Sequence, residues 1–255
     1  MPSATPLQPR LRALIIGASS GMGAALARRL GREGYSLALV ARRKAPLTAL
    51  CSEIDRLAGE KRALAYVHDV RKYDAVPDLL RRIVADLGGL DLVVYAAGVN
   101  YPPGMTSYKF ETDREMLEVN LIGAFAWLNP IAAMFQAAGR GQIVGISSVA
   151  GDRGRVGNPG YNTSKSGLTT YLEALRNRLT RRGVNVLTVK PGFVKTDMLQ
   201  AAQKVMFPIT AETAADDIYN GIRRRKQQIY TPWFWTWIML VVRNIPSIVF
   251  RRMSF

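Results

Sequence analysis

Short, almost wholly apolar runs alternate along this chain with longer segments whose apolar residues recur at helical spacing. The strand-like runs are Leu11–Ile16, Ser36–Ala41, Ala63–Val67, Leu92–Tyr95, Gln142–Ile146 and Asn185–Val189, with a shorter one at Gln228–Tyr230. Helical patterns lie between them at Gly21–Arg32, Ala45–Leu57, Asp74–Leu87, Thr112–Ala137, Asn158–Arg181 and Ala211–Arg225. A strand apolar along its whole length suits a sheet covered on both faces. Strict alternation of strand and helix predicts parallel order. The pattern therefore predicts an α/β fold, a Rossmann-like doubly wound parallel sheet of about seven strands with helices on both faces. Ligands of such a sheet sit outside the carboxyl ends of the strands, near the switch point. No repeat, low-complexity stretch or interdomain linker divides the chain. Residues 1–231 read as one catalytic domain and residues 232–255 as an apolar, aromatic, partly helical tail.

The tail breaks the alternation. Tyr230 to Val242 is strongly apolar and holds Trp233, Trp235 and Trp237. Arg243 interrupts it, Pro246 breaks any helix, and an apolar run resumes at Ser247–Phe250 before Arg251 and Arg252. The uninterrupted length falls far below the roughly 20 residues of a spanning helix. Tryptophans beside arginines suit a bilayer interface, with Arg223 to Lys226 just upstream to meet anionic headgroups. A flap over the substrate pocket, or a contact with a second subunit, fits the same pattern.

Composition narrows the class. The chain has 255 residues, 48% hydrophobic and 21% charged, which suits one globular domain with an ample core. Cys51 is the only cysteine, so no intramolecular disulfide forms, and a reducing cytoplasm is expected. A single histidine, His68, leaves no His-rich metal site, and no metal is expected. His68 reads as a strand-end residue. Residues 1–10 hold prolines at positions 2, 6 and 9 and no apolar core, unlike a secretory signal. The net charge of +16 raises nucleic acid as a partner, but no recognition motif accompanies it, and none is expected.

Two constellations carry chemistry. Gly17-Ala18-Ser19-Ser20-Gly21-Met22-Gly23 joins the first strand to the first helix. Strand, glycine turn and helix in this order make a phosphate site: the backbone approaches the pyrophosphate, and the helix start presents free N–H groups. The spacing is neither the commonest dinucleotide fingerprint nor a P-loop. The second strand ends in Arg42-Arg43-Lys44, with no acid to bind a ribose 2′-hydroxyl. Arg42 can instead pair with a 2′-phosphate, helped by Ser19 or Ser20, which points to NADP(H). Further along, Tyr161 and Lys165 stand four apart, with Ser148 13 residues before the tyrosine. One helical turn puts Tyr161 and Lys165 on one face, where the ammonium favours the phenolate and brings the phenol's pKa toward working pH.

These pieces, with Asp69-Val70, Ala97-Gly98, Asn120 and Pro191-Gly192 in order, resemble the short-chain dehydrogenase/reductase family over residues 10 to 230. The resemblance implies further roles. Asp69 hydrogen-bonds the adenine and Val70 packs on it. Ala97, Gly98, Pro191, Gly192, Val194 and Thr196 line the cofactor, the last four on the nicotinamide side. Asn120 fixes a water in a proton relay, Ser148 orients the substrate carbonyl, Tyr161 delivers the proton, and Lys165 also holds the ribose. A homodimer or homotetramer is implied, paired through the helices that bear Asn120 and Tyr161, with Ala124, Ala126, Ala132, Ala133 and Ala137 allowing close approach. The chain departs from the family at Tyr95-Ala96, where two asparagines often stand.

The expected function is NADP(H)-dependent hydride transfer to or from a ketone or secondary alcohol on an apolar or lipid-linked substrate. Tyr101–Phe110 and Phe193–Thr210 are expected to wall the pocket, the second with Met198, Leu199, Val205, Met206, Phe207 and Pro208. The runs Ser147–Arg155 and Lys190–Val194 are similar to those of reductases of decaprenylphosphoryl 2-keto-pentoses, and a keto-lipid, as in reductases of 3-ketosphinganine or 3-oxoacyl chains, fits the expected pocket as well. The alternatives are a soluble small-ketone reductase and a non-catalytic NADP(H)-binding regulator or scaffold. The expected location is cytoplasmic, with peripheral contact on the inner face of a membrane.

Overall fold

The computed structural model describes residues 11–103, 106–201 and 205–253; the side chains of residues 200 and 201 are not described. Residues 1–10, parts of both expected pocket walls and the last two tail residues lie outside the described residues.

Seven parallel strands form the central sheet: β1 (Arg12–Ile16), β2 (Ser36–Ala41), β3 (Ala63–Val67), β4 (Leu92–Tyr95), β5 (Gly141–Ile146), β6 (Val184–Pro191) and, after two short strands, β9 (Gln228–Thr231). Their order is β3-β2-β1-β4-β5-β6-β9. The switch point lies between β1 and β4, paired in register from Ala13 with Leu92 to Ile16 with Tyr95. The two short strands, β7 (Val194–Lys195) and β8 (Ile209–Thr210), pair only with each other.

The helices are α1 (Gly21–Arg32), α2 (Lys44–Ala58), α3 (Val76–Leu87), α4 (Phe110–Leu117), α5 (Gly123–Ala138), α6 (Pro159–Leu179), α7 (Ala211–Arg223), α8 (Trp235–Asn244) and α9 (Ser247–Phe250). Core side chains divide between the two sheet faces. Leu26, Leu30, Leu47 and Ile218 pack on one, while Ile83, Trp127, Phe135 and Leu172 pack on the other. Burying each large side chain contributes about 1.5–3 kcal/mol, so both layers are held firmly.

One predicted helix is interrupted. Thr112–Ala137 becomes α4, a π-turn at Glu118–Ile122, and α5. By length and composition Phe110–Ala138 would pass as a membrane span. Here Val119, Trp127, Leu128, Ile131 and Phe135 are packed into the core on the sheet. The π-turn carries Asn120, and Tyr95 holds it: the phenol OH donates to the Val119 carbonyl at 2.6 Å. Tyr95 thus supplies a structural bond at the position where the sequence departs from the family.

Candidate active site

The phosphate loop forms as its residue types require. Gly17 has φ +94°, and a side chain there would strike the Ala97 backbone at 2.4 Å; one on Gly23 would meet the Gly17 carbonyl at 2.2 Å. Loop, helix start and the turn after β4 are therefore packed together at the switch point. The first turn of α1, at Gly21, Met22 and Gly23, carries no acid, and no side chain caps it. The first N–H groups of a helix have no intrahelical partner, and with the helix dipole they favour an anion at this start. Thr196 closes over this start, its methyl in reach of Gly21.

Arg43 is the cation that reaches the loop. Its Nη2 donates to Ser20 Oγ at 2.7 Å and to Ser19 Oγ at 3.2 Å. Arg42 acts electrostatically on Asp69. Asp69 is bonded by the Arg71 guanidinium, Nη2 to Oδ2 at 2.8 Å, and by the Arg71 amide, which hold its carboxyl below the usual range. Val70 is buried in the core. His68 follows β3 and is buried edge-on against Trp127, with ring centroids 5.5 Å apart; burial lowers its pKa and favours the neutral ring.

The catalytic candidates come from three elements. Ser148 follows β5, and its Oγ accepts the Ala150 amide at 3.1 Å. Tyr161 and Lys165 share the inner side of α6. Asn158 caps this helix, accepting the Tyr161 amide at 3.1 Å, and its own amide donates to Asn100 Oδ1 at 2.6 Å. The cap ties α6 to the loop after β4; sequence reading missed Asn158, although Asn followed by Pro at a helix start signalled it. Ser147 turns inward, to the Lys165 carbonyl and Thr169.

Lys165 is buried, its Nζ donating to the Ile146 carbonyl at 2.9 Å and standing 5.8 Å from the Tyr161 ring centre. Burial lowers its pKa to about 8. An ammonium has three donors, so two remain for a ribose or a water. Asn120 is fully buried. Its amide exchanges bonds with both backbone groups of Val99, at 2.8 and 3.0 Å, and donates to Ser164 Oγ at 2.9 Å. Asn120 Oδ1 and Lys165 Nζ each stand 3.4 Å from where a Gly98 side chain would begin, so the three groups converge.

One expectation is corrected. Lys165 was expected to lower the phenol's pKa, yet burial, the largest influence, raises the pKa of Tyr161. The groups that pull it down are Ser148, by hydrogen bonding, and Arg155, by its charge. The physical reason is that Tyr161 is itself buried, and loss of water around the phenol disfavours its charged form more than its neighbours favour it. Arg155 is half-buried, and its guanidinium has no hydrogen bond or ion pair among the described residues; its carbonyl accepts from Asn162 Nδ2 at 2.9 Å. Sequence reading did not single it out.

The tail adds a wall. Trp235, Met239 and Val242 of α8 pack with Tyr230 and Val149, the neighbour of Ser148, while Phe193 and Phe250 lie alongside. Trp235 sits so close to Gly192 that a side chain there would strike the indole Nε1 at 2.0 Å. Asp152 accepts from Lys190 Nζ at 2.5 Å and from Tyr230 OH at 2.7 Å, all within the wall. Arg153 Nη1 donates to the carbonyls of Val242, Arg243 and Ile245 at the end of α8, and its guanidinium stacks 4.0 Å from the Phe250 ring centre. The loop that carries Ser148 thus holds the tail against Pro191-Gly192.

Residues 12–206 match the short chain dehydrogenase family. The chain belongs to that family. An uncharacterized oxidoreductase of Myxococcus xanthus is 37% identical over 223 residues, covering 87% of each chain. The ketoacyl reductase HetN of a Nostoc species is 27% identical over 221 residues, 85% of this chain and 76% of that one. Among solved structures, a variant of actinorhodin polyketide ketoreductase with NADPH superposes with a TM-score of 0.77 at 27% identity, covering 86% of this chain and 94% of that one. A short-chain dehydrogenase from Sphingobium yanoikuyae in complex with NADPH superposes with a TM-score of 0.80 over 93% of this chain and 97% of that one; at 24% identity it supports the fold. The family assigns the chain to the oxidoreductases.

Proposed function

We propose that this oxidoreductase reduces a ketone on an apolar or lipid-linked substrate with NADPH. The observation that carries the reaction is the convergence of Ser148, Tyr161 and Lys165, with Asn120 behind them, at the carboxyl end of the sheet. NADP(H), when bound, supplies the hydride. The free N–H groups of Gly21 to Gly23 and the loop of Gly17, Ser19 and Ser20 suit its pyrophosphate. Arg43, with Arg42 beside it, offers bidentate donors to a 2′-phosphate. Asp69 and Val70 take the adenine side, Ala97 and Gly98 the floor, and Pro191, Gly192, Val194 and Thr196 the nicotinamide side. Lys165 turns its two remaining donors to the ribose.

Ser148 holds the substrate carbonyl by its oxygen. As hydride adds to the carbon, negative charge builds on that oxygen, and the Tyr161 phenol donates its proton there. The product is the alcohol, with its new O–H proton from Tyr161. Lys165 supplies the proton that restores Tyr161 and regains one from solvent through water held beside Asn120.

The apolar tail wall and the exposed side chains of Met198, Val205, Met206 and Phe207 support an apolar substrate. Arg155, a half-buried cation near the tyrosine whose guanidinium has no hydrogen bond or ion pair among the described residues, favours one that also bears an anionic group. Two copies pair through α5 and α6. The decisive assay follows NADPH oxidation over a series of ketones of increasing chain length. kcat/KM should rise with each methylene by up to about fourfold, the worth of ~0.8 kcal/mol per buried CH2. A flat series with brisk turnover of short, water-soluble ketones would overturn the substrate class; no oxidation with any ketone would overturn the reductase.

A further inference from the structure

Helix α8 is apolar on two opposite faces, and only one of them is used. Trp235, Met239 and Val242 dock on the body, whereas Trp237, Leu240 and Val241 form a stripe at helical spacing on the other side, with Trp233 in the turn just before the helix. Trp233, Trp237, Leu240 and Val241 are 70%, 63%, 53% and 66% exposed. Ile248 and Val249 of α9 continue the exposed apolar surface. Phe207 approaches from the expected pocket wall, edge-on to Phe234 at 5.6 Å, and remains 62% exposed. Its φ of +50° is a conformation that a bulky residue rarely adopts without a reason.

The charges around this surface have one sign. Arg243, Arg251 and Arg252 are exposed beside it. The sequence after Asp217 holds seven Lys and Arg residues and no Asp or Glu. A monomer rarely leaves such an apolar face in water, so a partner is implied. A second copy is disfavoured, because a two-fold contact sets the same patch against itself and brings these arginines together. An anionic surface matches both the apolar stripe and its cationic rim. Helix α8 has 10 residues, too few to span a bilayer that needs about 20. It suits lying in the plane of the interface, with its tryptophans at headgroup depth.

We propose that the outward face of α8, with α9 and Phe207, docks this protein on the surface of an anionic lipid bilayer. The inward face of the same helix lines the site, so a lipid-borne ketone passes from the leaflet beneath α8 to Tyr161; this second half rests on the substrate reading above, whereas the docking does not.

The test is co-sedimentation of the full-length protein with vesicles of phosphatidylcholine plus phosphatidylglycerol, beside vesicles of phosphatidylcholine alone. Binding should favour the anionic vesicles and weaken as salt screens the arginines. It should be accompanied by a blue shift of tryptophan emission. The double variant Trp237→Ser, Val241→Ser should lose at least ~10-fold in vesicle affinity, since two membrane-facing apolar groups are removed. Its melting temperature and its turnover of a water-soluble ketone should match the parent's. Parent protein left in the supernatant at low salt, or a double variant that binds as the parent does, overturns the proposal. So does loss of self-association in the double variant by light scattering, which would assign the face to a second copy. Vesicle binding without any NADPH oxidation would instead overturn the reductase and leave the docking standing.

Discussion

Arg155 changes how the tyrosine is read. Its guanidinium and the Ser148 hydroxyl oppose the burial that raises the Tyr161 pKa. The sign of its effect follows directly. A nearby cation favours the phenolate, so removing it moves the phenol's pKa upward. Alcohol oxidation needs the phenolate as base. The rise of oxidative kcat/KM with pH in Arg155→Gln should therefore lie at higher pH than in the parent, while Arg155→Lys restores most of the position. A uniform loss at every pH, with no displacement of the curve, would make Arg155 a packing residue only. Sequence spacing made Tyr161, Lys165 and Ser148 legible because helical geometry fixes their relation. Arg155 was not legible, since its place depends on how the loop before α6 folds. Arg43 was hidden for the same reason: the run Arg42-Arg43-Lys44 offers three cations, and only the turn between β2 and α2 decides which one bonds Ser19 and Ser20.

At the scale of elements, the strands were legible to within two residues at each end, because a buried parallel strand is apolar along its length. The break in the long helix was not. A π-turn adds one residue to a turn and leaves the apolar pattern almost unchanged, yet it presents Asn120 to Val99 and Ser164. Strands β7 and β8 hold two residues each, too short for any periodic signal. The tail's apolar character was plain, but its docking was not, because Arg153 grips it from 89 to 92 residues away in sequence. Arg153→Ala leaves three carbonyls at the end of α8 without their cation and removes the stacking on Phe250. Hydrogen exchange of residues 235–250 should accelerate in that variant, while the amides of β1, β4 and β5 keep their protection. A loss of about 1.5–3 kcal/mol in tail stability is expected for a hydrogen bond to a charged group. Unchanged exchange in the tail would show that the apolar contacts of Trp235 and Met239 hold it alone.

For the whole molecule, a shallow groove between α5 and α6 is lined by Asn129, Ala133, Ala137, Leu175 and Arg178. Ala133 and Ala137 are exposed there and suit close approach of a second copy. Ala124 and Ala132, expected to serve the same purpose, are buried against the core instead, because the faces of a helix only 16 residues long are divided between sheet and surface. Light scattering at micromolar concentration should give a dimer or tetramer, and Ala133→Arg should shift it toward monomer by setting a charge in the contact. A monomeric parent would contradict pairing through this face. The account as a whole stands on Tyr161 as the proton donor in ketone reduction. Its most direct test is the turnover of Tyr161→Phe with NADPH and a long-chain ketone, with NADPH binding measured on the same preparation. The account predicts a fall in kcat of at least ~10², the lower end for a positioned acid, with cofactor affinity nearly unchanged. Turnover close to that of the parent would contradict it.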